Sequence, residues 1–170
     1  MLKRWLGGIA VVGLLLVGSG HSATAQSGFC LFGCAKEPEY ILNYKIENRE
    51  HDYTSDRYYL WMRPENVAVK QIQILTDPAF DGRFDLKAID VASRTSGATY
   101  AVESTEWDND QRTVTIVLAK PIPAQEEIQL VFSQVLNPST DGIYKLVARV
   151  LGTEANPIYR YVGTWSISIE

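Results

Sequence analysis

The chain is poor in the side chains that most enzymes work with. Of 170 residues only two are histidine, His21 and His51, and only two are methionine. A Ser-His-Asp or Cys-His site needs an imidazole beside its nucleophile. His51 lies in the polar turn Arg49-Glu50-His51-Asp52, and no G-x-S-x-G elbow occurs anywhere. It reads as a solvated loop histidine. So few imidazoles and soft ligands speak against a zinc or copper centre. No Gly-rich phosphate loop and no internal repeat is present. No basic cluster exceeds two residues in a chain of net charge −4. Nothing therefore steers the protein to nucleic acid or to an anionic lipid surface. No cofactor and no bound metal are expected.

Only one long apolar run exists, and it lies at the start. Lys3 and Arg4 precede Gly8 to Gly18, a run shorter than the ~20 residues of a spanning helix. Ala23-Thr24-Ala25 then offers a small-x-small cleavage pattern. This is the grammar of a signal peptide over residues 1–25, cleaved before Gln26, with a retained N-terminal anchor as the alternative. The segment carries two bases and no acid, so its removal takes the net charge from −4 to −6. The twin-arginine pattern is missing, which predicts export of an unfolded chain. The mature protein is expected in the periplasm, the thylakoid lumen or outside the cell, with no membrane insertion after cleavage.

Residues 26–39 read as a linker. Its cysteines, Cys30 and Cys34, are the only two in the chain. Outside the cytoplasm a pair at this spacing is foremost a disulfide candidate. Free thiols, pairing with another chain, and lipidation of Cys34 in a lipobox-like Leu31-Phe32-Gly33-Cys34 stay open.

What is abundant is strand patterning over residues 40–170. Around the polar turn Asn137-Pro138-Ser139-Thr140-Asp141-Gly142, two alternating runs stand as a central pair. Before it Ile128, Leu130 and Phe132 alternate with polar residues; after it Tyr144, Leu146, Ala148 and Val150 do so. Similar runs are predicted at 40–47, 58–62, 69–75, 84–91, 99–106, 112–118 and 161–169. Residues 86–89 could instead form one helical turn. The 99–106 and 112–118 runs should pair across the turn at 107–111, and Pro121 and Pro123 should end the second. About nine short strands at this spacing, without an amphipathic helical stripe, predict a single antiparallel Ig-like β-sandwich. A closed barrel is the alternative. The core should comprise Ile72, Ile74, Val114, Ile116, Leu118, Ile128, Leu130, Phe132, Tyr144, Leu146, Ala148, Val150, Trp165 and Ile167.

Aromatic residues supply the binding candidates. Tyr58, Tyr59 and Trp61 put rings on both faces of one strand, and Tyr159 and Tyr161 repeat the situation. One face belongs to the core. The other, carrying Tyr59, Trp61, Tyr159 and Tyr161, is the candidate surface for an envelope protein or glycan, although burial under loops would explain it as well. Acids recur in turns at Asp77, Asp81, Asp108, Asp110 and Asp141. Aspartate is common there because it bonds its own backbone. No pair is singled out for glycosidase chemistry, and the Asp108-Asn109-Asp110 triplet lacks the Gly and Glu of a calcium loop.

The second half, from about Tyr58 onward, resembles an uncharacterised family of exported cyanobacterial proteins, domain of unknown function 2808. The resemblance rests on D-x-x-x-R-T-V-T-I from Asp108 to Ile116, on Pro121-Ile122-Pro123, and on the strand Ile128 to Phe132. Asn137-Pro138, the run Gly142-x-Tyr144-x-Leu146-x-Ala148, and Gly163 complete it. It implies export and a β domain, and brings no catalytic residues. The reading is an exported non-catalytic binding or envelope-structural module, with a carboxylate-based hydrolase of envelope polysaccharide as the alternative.

Overall fold

The computed structural model describes residues 40–170. The expected signal peptide and linker, with both cysteines, Cys30 and Cys34, lie outside the described residues. The described part is all-β, and no helix in it is long and apolar enough to cross a membrane. Ten strands follow in order: β1 (Tyr44–Ile46), β2 (Asp56–Met62), β3 (Val69–Thr76), β4 (Ile89–Ser93) and β5 (Thr99–Tyr100), then β6 (Val102–Asp108), β7 (Thr113–Ile122), β8 (Ile128–Val135), β9 (Gly142–Gly152) and β10 (Arg160–Ile169). They form two antiparallel five-stranded sheets, ordered β1-β2-β8-β4-β5 and β10-β9-β3-β7-β6.

The core follows from period-two burial. In β2, Tyr58, Leu60 and Met62 are buried while Tyr59 and Trp61 face outward. All fourteen residues expected inside are buried. The two sheets enclose a core to which Phe80 and Phe84, from the β3–β4 connection, also belong. Their rings stack at 5.3 Å, and Phe84 meets Phe132 at 5.0 Å, so aromatics close one end of the sandwich.

Several expectations are corrected. The predicted 84–91 strand starts only at Ile89, because a turn at Leu86–Lys87 resets the alternation. The 99–106 run breaks at Ala101. Its first part pairs with β4, and its second crosses to the other sheet and pairs with β7. Proline does not end β7 at position 121. The strand runs to Ile122, because its register against β3 jumps between Val117 and Ile122, leaving Pro121 in an irregular stretch with no regular ladder bond to make. The central pair, β8 and β9, belongs to opposite sheets: Asn137 to Asp141 is a crossover, not a hairpin.

Sheet switching also closes the opposite side. Ile41 bridges to Thr164 of β10, and the Leu42 N–H donates to the Thr164 carbonyl at 2.9 Å. Two residues later the same chain enters β1, in the other sheet. Gly163 permits this. It sits at a bulge in β10 with φ 158°, and a Cβ there would lie 2.8 Å from the Tyr40 carbonyl oxygen.

A buried polar cluster pins the loop between β1 and β2 to the crossover. Tyr58 donates from its hydroxyl to Asn137 Oδ1 at 2.7 Å. Asn137 Nδ2 donates to Asp56 Oδ2 and to the Glu50 carbonyl, both at 2.8 Å. The Asp56 carboxylate also accepts the N–H groups of Asn48, Arg49 and Arg57. These bonds hold a loop in which Arg49, Asp52 and Ser55 all have positive φ. Burial, and then the Asp56 charge, push the Tyr58 hydroxyl pKa well above its ordinary 10.0. The unfolded chain thus loses this proton first as pH rises, and folding stability falls above about pH 10, by about 1.4 kcal/mol per unit. Urea midpoints measured across that range should slope downward in the native protein. Tyr58→Phe should start lower and lose that component of the slope; an unchanged slope would contradict the assignment.

Candidate functional site

The four candidate aromatics do not converge. Tyr59 and Trp61 lie half-buried on the outer face of the first sheet, each engaged locally. The Tyr59 hydroxyl donates to Glu47 Oε1 at 2.8 Å, and Lys45 Nζ sits 5.6 Å from the ring centroid. Trp61 Nε1 donates to Gln129 Oε1 at 2.8 Å, and the Arg94 guanidinium lies 4.9 Å from its ring. Arg94 is held there by Glu127 at 2.6 Å. Cations already cover both rings.

Tyr161 lies instead at the start of β10, and Tyr159 just before it. Tyr161 packs on Tyr40 with ring centroids 5.6 Å apart and shares a 2.9 Å hydrogen bond with Thr164 Oγ1. Gln71 Nε2 donates to the Tyr159 hydroxyl at 2.6 Å, and burial raises the pKa of that hydroxyl. Among the described residues, five of the seven exposed large apolar residues lie at the start of β10, just before it, or in the segment that crosses it: Tyr40 (38%), Ile41 (54%), Ile158 (70%), Tyr159 (38%) and Tyr161 (45%). Sequence patterning does not single out Tyr40, Ile41 and Ile158; the crossing of residues 40–42 against β10 brings the first two there.

A second feature lies at the far end of the β9–β10 ladder, where Asp77–Ala88, the β6–β7 turn and the Asn137 crossover meet. Asp81 accepts the Ser139 N–H at 2.9 Å and the Ser139 hydroxyl. These bonds hold its carboxyl below the usual carboxylate range. Thr105 Oγ1 donates to the Leu86 carbonyl at 2.8 Å, and Arg83 bridges to Leu136. The result is a cleft of about 480 Å³. Phe84, Leu86, Leu136 and Trp107 supply apolar walls; Asp81, Arg83 and Asn109 supply polar groups. A second cleft of about 420 Å³ shares Arg83, Phe84, Leu86 and Leu136 and adds Thr54, Ser55, Asp85 and Gln134. Three separate sequence segments build the first cleft, so only a lone tryptophan ahead of a turn, Trp107, hinted at it.

The turn aspartates mainly cap backbone. Asp77 accepts from Ala79, Asp85 from Lys87, and Asp108 from Gln111, each at 2.9 Å. His51 is exposed, 3.6 Å from Asp52. Among the described residues no three His, Cys, Asp or Glu side chains are grouped to hold a metal ion.

Similar architectures occur among solved structures. Domains D2 and D3 of the major pilin SpaD from Corynebacterium diphtheriae are 10% identical, with a TM-score of 0.48 over 72% of this chain and 50% of that one. BslA, a bacterial hydrophobin, is 14% identical, with a TM-score of 0.45 over 76% of this chain and 97% of that one. The collagen-binding domain of a Staphylococcus aureus adhesin is 14% identical, with a TM-score of 0.37 over 68% and 87%. These likenesses concern strand architecture. No curated protein matches the chain. Residues 29–169 match the profile of the family described as proteins of unknown function, DUF2808, and the chain belongs to that family.

Proposed function

We propose that this protein is an exported, non-catalytic binding or envelope-structural module that meets an envelope protein or glycan at the β10 edge. One observation carries the reading: the concentration of exposed apolar side chains at Tyr40, Ile41, Ile158, Tyr159 and Tyr161, whereas cations cover the rings of Tyr59 and Trp61. Contiguous exposed apolar surface marks an interaction face. Tyrosine suits such a face because it offers much contact area for little conformational entropy. Export rests on the N-terminal segment, and the compartment is the periplasm, the thylakoid lumen or the exterior. Asp77 and Asp108 are engaged in capping backbone and Asp81 is held by Ser139, which leaves these three poorly placed for acid–base work.

The test is co-sedimentation of the full-length protein, purified after export, with envelope fragments. Tyr159→Ser with Tyr161→Ser should weaken sedimentation at least tenfold, roughly 1.4 kcal/mol, without lowering the unfolding midpoint. Protease-treated and glycosidase-treated fragments separate a protein partner from a glycan. Undiminished sedimentation of the double variant removes this edge from the interaction. Turnover of an envelope polysaccharide that Asp108→Asn or Asp110→Asn abolishes would instead establish the hydrolase.

A further inference from the structure

We propose that the 480 Å³ cleft beside Trp107 binds a neutral sugar unit. The volume is in the range of small-ligand sites, which combine apolar walls with a few polar groups that set orientation. Here Trp107, Leu86 and Leu136 form the apolar walls. A pyranose ring presents C–H groups on its faces and hydroxyls around its rim, and these walls match the faces.

The rim matches the hydroxyls. The Arg83 side chain is exposed, and among the described residues nothing pairs with its guanidinium, so its donors are available. Asn109 uses Oδ1 to accept from Trp107 Nε1 at 2.7 Å, which leaves its amide hydrogens free to donate. Asp81 accepts from Ser139 and keeps further lone pairs. Its carboxyl sits below the usual range and so remains an acceptor throughout the neutral region. One cation and one anion face the same space. A ligand anion would meet Asp81, and a ligand cation would meet Arg83. A hydroxyl donates and accepts together and satisfies both.

The cleft is held open by bonds outside it. Ser139 anchors Asp81, Thr105 anchors Leu86, and Gly82 passes so close that a Cβ would lie 2.6 Å from the Leu136 carbonyl oxygen. A preformed cleft avoids the ordering cost that weakens small-ligand binding. The inference rests on the protein being a binding module. It does not depend on the β10 edge, which lies at the other end of the β9–β10 ladder.

The indole N–H groups give the readout. Those of Trp61, Trp107 and Trp165 donate to Gln129, Asn109 and the Trp61 carbonyl, three separate surroundings that nuclear magnetic resonance can distinguish. Cellotriose, maltotriose, chitotriose and galactobiose are titrated into the full-length exported protein to tens of millimolar, with a galacturonate trimer as the anionic arm. At least one neutral probe should move the Trp107 signal while leaving Trp165 in place. Arg83→Gln, which breaks no side-chain hydrogen bond or ion pair among the described residues, should weaken that binding about tenfold, as loss of a charged hydrogen bond does. Tyr161→Ser should not change it. Silence at Trp107 with every neutral probe, or a response to galacturonate alone, overturns the sugar assignment. Loss of envelope sedimentation in the β10-edge variants alongside that silence would still support the binding module.

Discussion

Asn137→Asp should cost at least about 4 kcal/mol at neutral pH, a large part of the roughly 5–15 kcal/mol that holds such a domain folded. The two side chains have nearly the same shape, so packing does not cause the loss. Asn137 is 2% exposed and its amide donates to Asp56 Oδ2 and to the Glu50 carbonyl. A carboxylate at 137 removes both donors and sets a second negative charge against Asp56 in a buried site. The Glu50 loop, with its three left-handed residues, then loses its anchor on the crossover. One carboxyl of the new pair must bind a proton in the folded state at a pH where the unfolded chain does not. Folding therefore takes up a proton, and stability rises as pH falls from neutral toward about 4, below which the unfolded carboxyls are protonated too. Urea midpoints should thus increase on acidification for the variant and not for the native protein. A variant within about 1 kcal/mol of native at neutral pH would show that the cluster does not pin the loop.

The second large effect is expected at Trp165. Its ring is fully buried in β10, and Nε1 donates to the Trp61 carbonyl at 3.1 Å, a contact between the two sheets. Trp165→Ala should cost about 3–5 kcal/mol through lost burial and the cavity left behind. The orphaned Trp61 carbonyl adds to that. For a domain of this size the loss should lower the thermal midpoint by more than about 10 °C. Trp165→Phe keeps most of the apolar volume and gives up the hydrogen bond, so it should fall between alanine and native. A phenylalanine variant as unstable as alanine would mean that the inter-sheet bond, not the ring, dominates. An alanine variant close to native would mean that this end of the sandwich is not cooperatively folded.

The same two sites show how far the sequence could be read. Trp165 belongs to an alternating run, Trp165, Ile167 and Ile169 against Thr164, Ser166 and Ser168, so its burial is legible locally. Asn137 appears in sequence only as a turn residue before proline. Its role depends on Asp56 and Tyr58, some eighty positions away. The aromatic candidates divide in the same way. That Tyr58 or its neighbours must face inward follows from alternation, but the cations over Tyr59 and Trp61 arrive from β1 and from the turn after β4.

By itself, then, the sequence determined the all-β class, most strand positions, the fourteen core residues, and the family resemblance that the profile match over residues 29–169 supports. These are properties of side-chain order, because a strand turns its side chains to opposite faces with a period of two whatever it pairs with. Only the tertiary structure decided which strands share a sheet. It sent β8 and β9 to opposite sheets, carried one chain across at Ala101, and let β7 pass through Pro121. It likewise assembled the Tyr40–Tyr161 edge and the Trp107 cleft from distant segments. Strand pairing and cleft walls are contacts between residues far apart in the chain, set by packing free energy over the whole core, and no local pattern encodes them.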